Sequence, residues 1–241
     1  MTISSSTVTE LNPVAVLLRL VQSKDWQMIR TLMSVPSTDC LFNLACSISL
    51  SSENKFEGMT LLHTVVRCNP PLDIVSQIIK QSPEMLAARD DLDRTPLHIA
   101  AESEVSPMLL KFIARAYPAA CDAQDEDGRT PLHYVCDTSD ASYVLFAHND
   151  NATPQHQEAP KHEPIAALLS ESLNAATIED DDGMSPLEHA IMCEASLKTV
   201  KLLQVSARNS LRSRARLASP NLLGTSKRRK VLGAIGDSTN Y

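Results

Sequence analysis

The segment Thr95-Pro96-Leu97-His98 recurs along this chain, and the recurrence constrains the fold more than any other feature. Thr60-Leu61-Leu62-His63 stands 35 residues before it, and Thr130-Pro131-Leu132-His133 stands 35 residues after it. Ser185-Pro186-Leu187-Glu188 follows after a further 55 residues. A period of about 20 to 50 residues is typical of stacked repeat architectures. Each unit is too short to bury its own apolar face, so several units must stack along one axis.

The residue types in the recurring segment suit the start of a short helix. The hydroxyl of Thr95 can cap the first turn by accepting a backbone N–H, and Pro96 fits the first helical position because no donor is needed there. Gly128 and Gly183 precede the later copies and give a tight turn its freedom, while Asp93 stands at the equivalent place of the second copy. We therefore predict a turn followed by a helix at each copy.

The recurring segments and their turns resemble the Thr-Pro-Leu-His core of the ankyrin repeat, whose period is about 33 residues. The resemblance implies an all-α fold, an ankyrin-type α-solenoid of helix-turn-helix repeats whose short turns form the tips of projecting fingers. It also implies a structural role for the motif residues, with the histidines bonding within and between adjacent units. These residues are Thr60, His63, Thr95, Pro96, His98, Thr130, Pro131, His133, Ser185 and Pro186. Leu61 and Glu188 depart from the motif, which is typical of repeats at the ends of a stack.

The repeats occupy the middle of a chain of 241 residues. We predict a disordered N-terminus over 1–12, a helical cap with a degenerate repeat over 13–56, about four repeats over 57–204 and a basic disordered tail over 205–241. The repeats are bounded as 57–90, 91–125, 126–180 and 181–204. The third is longer because it contains a polar insertion near 147–163, which we place between its two helices.

Charge is divided unevenly along the chain. The net charge is −7, but residues 205–241 hold eight Lys or Arg against one Asp and so carry +7. The remaining residues carry −14, so an acidic body precedes a basic tail.

The predicted fingertips are rich in acidic residues and are the candidate surface for a protein partner. The candidate residues are Asp91, Asp93, Arg94, Asp125, Glu126, Asp127, Arg129, Asp181, Asp182 and Met184. One interpretation is a negative stripe that selects a basic partner, or that holds the chain's own tail. The alternative is that one Asp in each turn is structural and the others are merely solvated.

The basic tail resembles a two-part nuclear import signal, with Arg214 and Arg216 followed at a distance by Lys227, Arg228, Arg229 and Lys230. In this interpretation both clusters lie in an extended chain. A solvated tail and contact with nucleic acid phosphates are the alternatives. Ser219 lies in a context that resembles a kinase acceptor, and its phosphate would offset local positive charge.

Compartment is predicted from cysteines and apolar runs. The six cysteines include no Cys-x-x-Cys pair, so we expect reduced thiols. The first residues lack the basic and apolar regions of a signal peptide, and no run approaches the roughly 20 apolar residues that span a bilayer. We expect an intracellular protein of the cytoplasm, the nucleus or both, with no membrane contact.

Catalytic and metal sites receive little support from the sequence. Cys136 and His133 lie three residues apart and could form a nucleophilic pair, but no orienting group can be identified. The spacing of His148, His156 and His162 matches no zinc pattern. We therefore predict a non-catalytic scaffold or adaptor for protein–protein interaction that uses no cofactor. A nuclear regulatory cofactor whose tail contacts nucleic acid is the first alternative, and an enzyme based on Cys136 is the second.

Overall fold

The computed structural model describes residues 13–34, 58–137 and 161–218. It begins with two helices, α1 (Pro13–Gln22) and α2 (Trp26–Met33). Asp25 caps α2, because its carboxylate accepts the backbone N–H of Met28 at 3.0 Å. This helix pair packs on the repeats that follow, and Arg30 donates two hydrogen bonds to Asp73, at 2.6 and 3.0 Å.

Four helix pairs follow, and the first helix of each pair begins at the recurring motif. The pairs are α3 (Leu61–Arg67) with α4 (Leu72–Gln81), α5 (Pro96–Glu102) with α6 (Pro107–Ala116), α7 (Pro131–Cys136) with α8 (His162–Leu169), and α9 (Pro186–Met192) with α10 (Leu197–Ala218). The described residues contain no strand. The predicted all-α class is confirmed.

Turns between the paired helices use residues in the left-handed conformation, which stops a helix. Asn69, Glu104 and Glu194 have φ of 50°, 47° and 55° and stand at equivalent places in the first, second and fourth pairs. In the second and fourth pairs, the residue after the left-handed one donates its N–H to the carbonyl five residues earlier. Val105 donates to Ala100 at 3.3 Å, and Ala195 donates to Ala190 at 2.8 Å. These turns bring the second helix back against the first.

A short 3₁₀ helix then carries the chain toward the next finger. These segments are Pro83–Ala87, Pro118–Asp122 and Asn174–Thr177. They bury small or apolar side chains such as Leu86, Ala120 and Ala175. Small side chains there let the neighbouring repeats approach closely.

One apolar core runs through the described repeats. Successive first helices pack on each other (α3, α5, α7, α9), as do α6, α8 and α10 of the second row. Leu62, Leu97 and Leu132, at the same motif position, have no solvent exposure. Each repeat thus completes its core with its neighbours, as expected for a solenoid.

The predicted insertion has its place between two helices of one repeat. α7 ends at Cys136 and α8 begins at His162, whereas α5 and α6 are separated by four residues. Residues 138–160, which include most of the predicted insertion, lie outside the described residues, as do 1–12, 35–57 and 219–241. The predictions of a disordered N-terminus and of the degenerate repeat after Ser34 fall in those segments.

The prediction of a disordered tail starting at 205 is wrong for residues 205–218, because α10 continues through them to Ala218. Ser206 and Ser210 are buried, and the Ser210 hydroxyl donates to Asn174 Oδ1 at 3.0 Å. The 3₁₀ helix Asn174–Thr177 packs against α10, with Asn174 at Ser210. Contacts with the preceding repeat therefore extend the helix beyond the predicted boundary at 204.

Candidate protein-binding surface

Each finger is built around one buried aspartate: Asp90, Asp125 or Asp180. The Oδ1 atom of each accepts the backbone N–H groups of the residues two and four positions later, at 2.8 to 3.1 Å. A buried carboxylate needs such donors, because an unpaired charge is costly to bury. The three turns therefore have the same shape.

The second oxygen of each aspartate takes a different donor in each finger. Arg94 donates to Asp90 at 3.0 Å and the Tyr134 hydroxyl to Asp125 at 2.7 Å. His189 lies 2.7 Å from Asp180. Burial opposes ionisation of Asp180, but the hydrogen bonds from His189 and the Met184 N–H outweigh it, and the pKa of Asp180 lies below its usual value.

Adjacent fingers are joined by backbone hydrogen bonds. The N–H of Glu126 donates to the carbonyl of Leu92 at 3.1 Å, and the N–H of Asp181 to that of Asp127 at 3.0 Å. The contact is close because Gly128, with φ of 73°, has no side chain: a Cβ there would lie 2.7 Å from Asp181 N. The fingers thus form a row with fixed spacing.

A histidine in each first helix joins its repeat to the next finger. In His98, Nδ1 accepts the N–H of Thr95 at 3.0 Å, and Nε2 lies 3.2 Å from the carbonyl of Arg129. A carbonyl can only accept, so we assign the proton to Nε2. His63 and His133 make the same contacts with the following fingers. Burial lowers the pKa of His98 and of His133 to about 4, and lowers that of His63 as well.

The fourth repeat replaces this histidine with Glu188. Its carboxylate accepts the N–H and the hydroxyl of Ser185, both at 2.7 Å, and so completes a capping box within its own helix.

The fingertips present carboxylates, while Arg94 and Arg129 turn inward. Arg94 pairs with Asp90 at 2.9 Å and with Glu102 at 3.3 Å, and Arg129 pairs with Asp137 at 3.6 Å. The exposed acidic residues are Asp91, Asp93, Glu126, Asp127, Glu179, Asp181 and Asp182. Of the candidate fingertip residues, Asp125 is buried within its turn and is not available to a partner.

The fourth repeat has methionines where the second and third repeats have ion pairs. Met184 and Met192 stand at the positions of Arg94 and Glu102. Together with Glu188 and Ile191 they line a groove of about 310 Å³, which we call the end groove. Of these four residues, only Met184 is among the candidates predicted from the sequence, although Ile191-Met192 also departs from the pattern of the earlier first helices.

Three buried side chains at the junction of the third and fourth repeats lie close enough together to hold a metal ion. They are His133, Asp180 and His189, whose possible ligand atoms lie within 4.8 Å of one another. Both ring nitrogens of His133 are already used by Thr130 and by the carbonyl of Met184. His189 lies between two carboxylates, 2.7 Å from Asp180 and 3.6 Å from Asp137. The arrangement is better explained as a hydrogen-bonded junction than as a metal site.

The structure does not favour a nucleophile at Cys136. This thiol is fully buried, and burial raises its pKa well above the ordinary value. A pKa of about 4 keeps His133 neutral, so no thiolate–imidazolium pair forms.

Of the three histidines considered as zinc ligands, His162 is the first residue of α8, and His148 and His156 lie outside the described residues.

Two basic residues of the predicted tail have a different setting from the one predicted. Arg214 and Arg216 belong to α10, so the extended conformation expected for this half of an import signal is wrong. Ser219 and residues 227–230 lie outside the described residues.

Among the described helices, none has the length and apolar character that crossing a membrane requires.

The fold and the finger row define a class: a stacked helical-repeat protein with a preformed surface. Residues 85–135 match the family model of ankyrin repeats, which occur in many copies. This match supports an ankyrin-repeat protein. No curated protein matches the chain. Ankyrin repeats generally mediate protein–protein interaction, and the family is typically non-catalytic.

Proposed function

We propose that this chain is a non-catalytic scaffold or adaptor that recognises a basic segment of a partner protein through its fingers. The observation that supports this most is the row of exposed carboxylates whose neighbouring cations, Arg94 and Arg129, are held in internal ion pairs. A positively charged segment would therefore meet a mainly acidic surface, on which Arg89 is an exposed cation paired with Asp93 at 3.4 Å.

The row is also preorganised. Buried aspartates fix each turn, and backbone hydrogen bonds from Glu126 and Asp181 fix the spacing between turns. A rigid surface loses little conformational entropy on binding. Complementary charge adds specificity and raises the association rate.

The test compares two triple variants of the full chain. One carries Asp91→Asn, Asp127→Asn and Asp182→Asn at the fingertips. The matched control carries Glu84→Gln, Glu163→Gln and Glu194→Gln, which remove three exposed charges elsewhere. Partners are captured from lysate with the unaltered chain, and the affinity of each recovered partner is measured for all three proteins.

We expect the fingertip variant to bind at least about tenfold more weakly and to lose most of its salt dependence between roughly 0.05 and 0.3 M salt. The control variant should bind like the unaltered chain. Equal losses in both variants, or none in either, would rule out fingertip recognition.

A second candidate is contact with nucleic acid through α10. Arg208, Arg212 and Arg216 recur every four residues and so lie on one face of this helix. All three are exposed, and none forms an ion pair with the described residues. Binding to nonspecific duplex DNA that weakens steeply with salt, and that is lost when all three become Gln, would favour this function.

Nuclear import remains a proposal that rests on residues 227–230 alone, since Arg214 and Arg216 are helical. A fluorescent fusion tests it. Replacing Lys227, Arg228, Arg229 and Lys230 with alanine should move the fusion from nucleus to cytoplasm, and an unchanged distribution would exclude the signal.

A further inference from the structure

The last repeat exposes an apolar side chain at a position that the preceding repeats bury. Ile191 stands where the earlier first helices have Val66, Ala101 and Cys136. These three are at most 4% exposed, whereas Ile191 is 54% exposed. The earlier side chains are covered because each first helix packs on the next one. Among the described residues, α9 has no such successor.

The end groove around Ile191 is apolar where a terminal repeat would be expected to be polar. Met192 is 71% exposed, and it faces Met184 at the positions that hold ion pairs in the two preceding repeats. Glu188 is the one acidic residue of the lining, and its carboxylate is already engaged by Ser185. Exposed apolar surface of this kind is typical of a contact site.

We propose that this chain covers the end groove with its own segment 231–235, Val231-Leu232-Gly233-Ala234-Ile235. Four consecutive cations, residues 227–230, come directly before this segment. Glu188 of the lining is exposed, and the exposed Asp181 and Asp182 precede the lining residue Met184 by three and two residues. Apolar residues would fill the groove while the cations lie against this acidic border.

The segment is long enough to reach the groove. α10 has 22 residues and α6 has 10, so α10 overshoots the repeat by about 12 residues, or roughly 18 Å at 1.5 Å per residue. The 12 residues from 219 to 230 can span up to roughly 40 Å. They can therefore return along the helix and cross to α9.

Charge favours the chain's own tail over a second copy as the occupant. Two end grooves placed face to face would bring Glu188 and the acidic fingertips of both copies together. Like charges across an interface are repulsive. This inference goes beyond the proposed function, because the contact forms within one molecule whether or not a partner is bound.

The experiment places a benzoylphenylalanine photo-cross-linker at position 192 of the full chain. After irradiation, trypsin releases residues 231–241 as one peptide and 217–227 as another, so mass spectrometry identifies the segment captured. The matched control carries the cross-linker at Met108, which is 72% exposed on α6, away from the end groove. We expect monomeric product in which position 192, and not position 108, is joined to the 231–241 peptide.

A second measurement needs no bulky substitution. Hydrogen exchange of the 231–241 peptide should be about tenfold slower in the full chain than in the Ile191→Asp variant, and Met108→Asp should leave it slow. Cross-links to the 217–227 peptide, dimeric product joined through α9, or exchange unaffected by Ile191→Asp would each overturn the proposal. None of these outcomes bears on fingertip recognition, which the affinity comparison tests separately.

Discussion

His98 and His133 connect each repeat to the next finger through one neutral imidazole. The ring must accept at Nδ1 and donate at Nε2 at the same time, and only one uncharged tautomer does both. Burial supports this state by lowering the pKa of each ring to about 4. Protonation would place a donor against the Thr95 or Thr130 N–H.

This arrangement makes stability depend on pH. An unfolded histidine titrates near 6.5, so between about pH 6.5 and 4 the unfolded chain binds more protons than the folded one. Stability should therefore be full near pH 7 and fall as the pH drops through this window, by roughly 3 kcal/mol for each ring with a pKa of about 4. Urea unfolding at a series of pH values measures it.

His98→Gln provides the control, since glutamine can accept and donate but does not titrate. We expect the variant to fold, to be less stable at pH 7 and to show a shallower decline. Asp180 also loses stabilisation in acid, but only as the pH falls toward its lowered pKa, and the variant keeps that effect. If the free energy of unfolding falls with pH as steeply in the variant as in the unaltered chain, His98 titrates normally in the folded protein.

Gly128 and Gly183 allow a matched test of the contact between fingers. Both have positive φ, of 73° and 75°, so alanine strains either backbone by about 1 kcal/mol. Only at Gly128 would the added Cβ also strike the next finger, 2.5 Å from Asp181 Oδ1. We expect Gly128→Ala to cost roughly 2 to 4 kcal/mol and Gly183→Ala roughly 1 kcal/mol, measured by chemical denaturation. Equal costs would mean that the fingers separate easily.

Many residue-level features could be predicted from the sequence, because the same local motif recurs in each repeat. The capping residue Thr95 and the left-handed turn at Asp93 follow from residue type. The second partners of the buried aspartates could not be predicted. Tyr134 and His189 each stand nine residues after their aspartate, whereas Arg94 stands four residues after Asp90. The repeat pattern does not show which of these positions supplies the donor, because the residue types there differ between copies.

At the scale of the element, α10 differs from every other helix described. It packs on α8, on α9 and on the 3₁₀ helix Asn174–Thr177, and residues 211–217 are exposed. No Gly or Pro interrupts 197–218, which is consistent with one continuous helix. The predicted boundary at 204 rests on basic charge rather than on helix propensity, and it therefore ends the helix too early.

Truncation tests this element. A chain ending at 218 keeps the Ser206 and Ser210 contacts, and a chain ending at 204 loses them. We expect the shorter chain to have a thermal midpoint lower by several degrees than the 1–218 chain, as 1 to 2 kcal/mol of lost packing would give. Differential scanning calorimetry measures the midpoint of both chains. Equal midpoints would mean that the folded repeats end at residue 204.

At the scale of the whole molecule, the repeats are stabilised through nearest neighbours. The junction of the third and fourth repeats depends on His189, which bonds Asp180 and packs edge-on against the ring of His133 at 5.4 Å. His189→Ala should therefore speed amide exchange in α9 and α10 while α5 keeps its protection. Hydrogen exchange with mass spectrometry resolves the two regions. A uniform increase along the chain would mean that the solenoid unfolds as one unit.

The insertion in the third repeat has a consequence for folding. Stacking His98 on the next finger closes a loop of 31 residues, but stacking His133 on Met184 closes one of 51. The longer loop costs only about 0.4 kcal/mol more in chain entropy, so the folded stack tolerates it. Contacts that are more distant in sequence nevertheless form later. We expect folding to nucleate in the second and third repeats and to add the fourth afterwards, with high φ-values at Ala101 and low ones at Ala190.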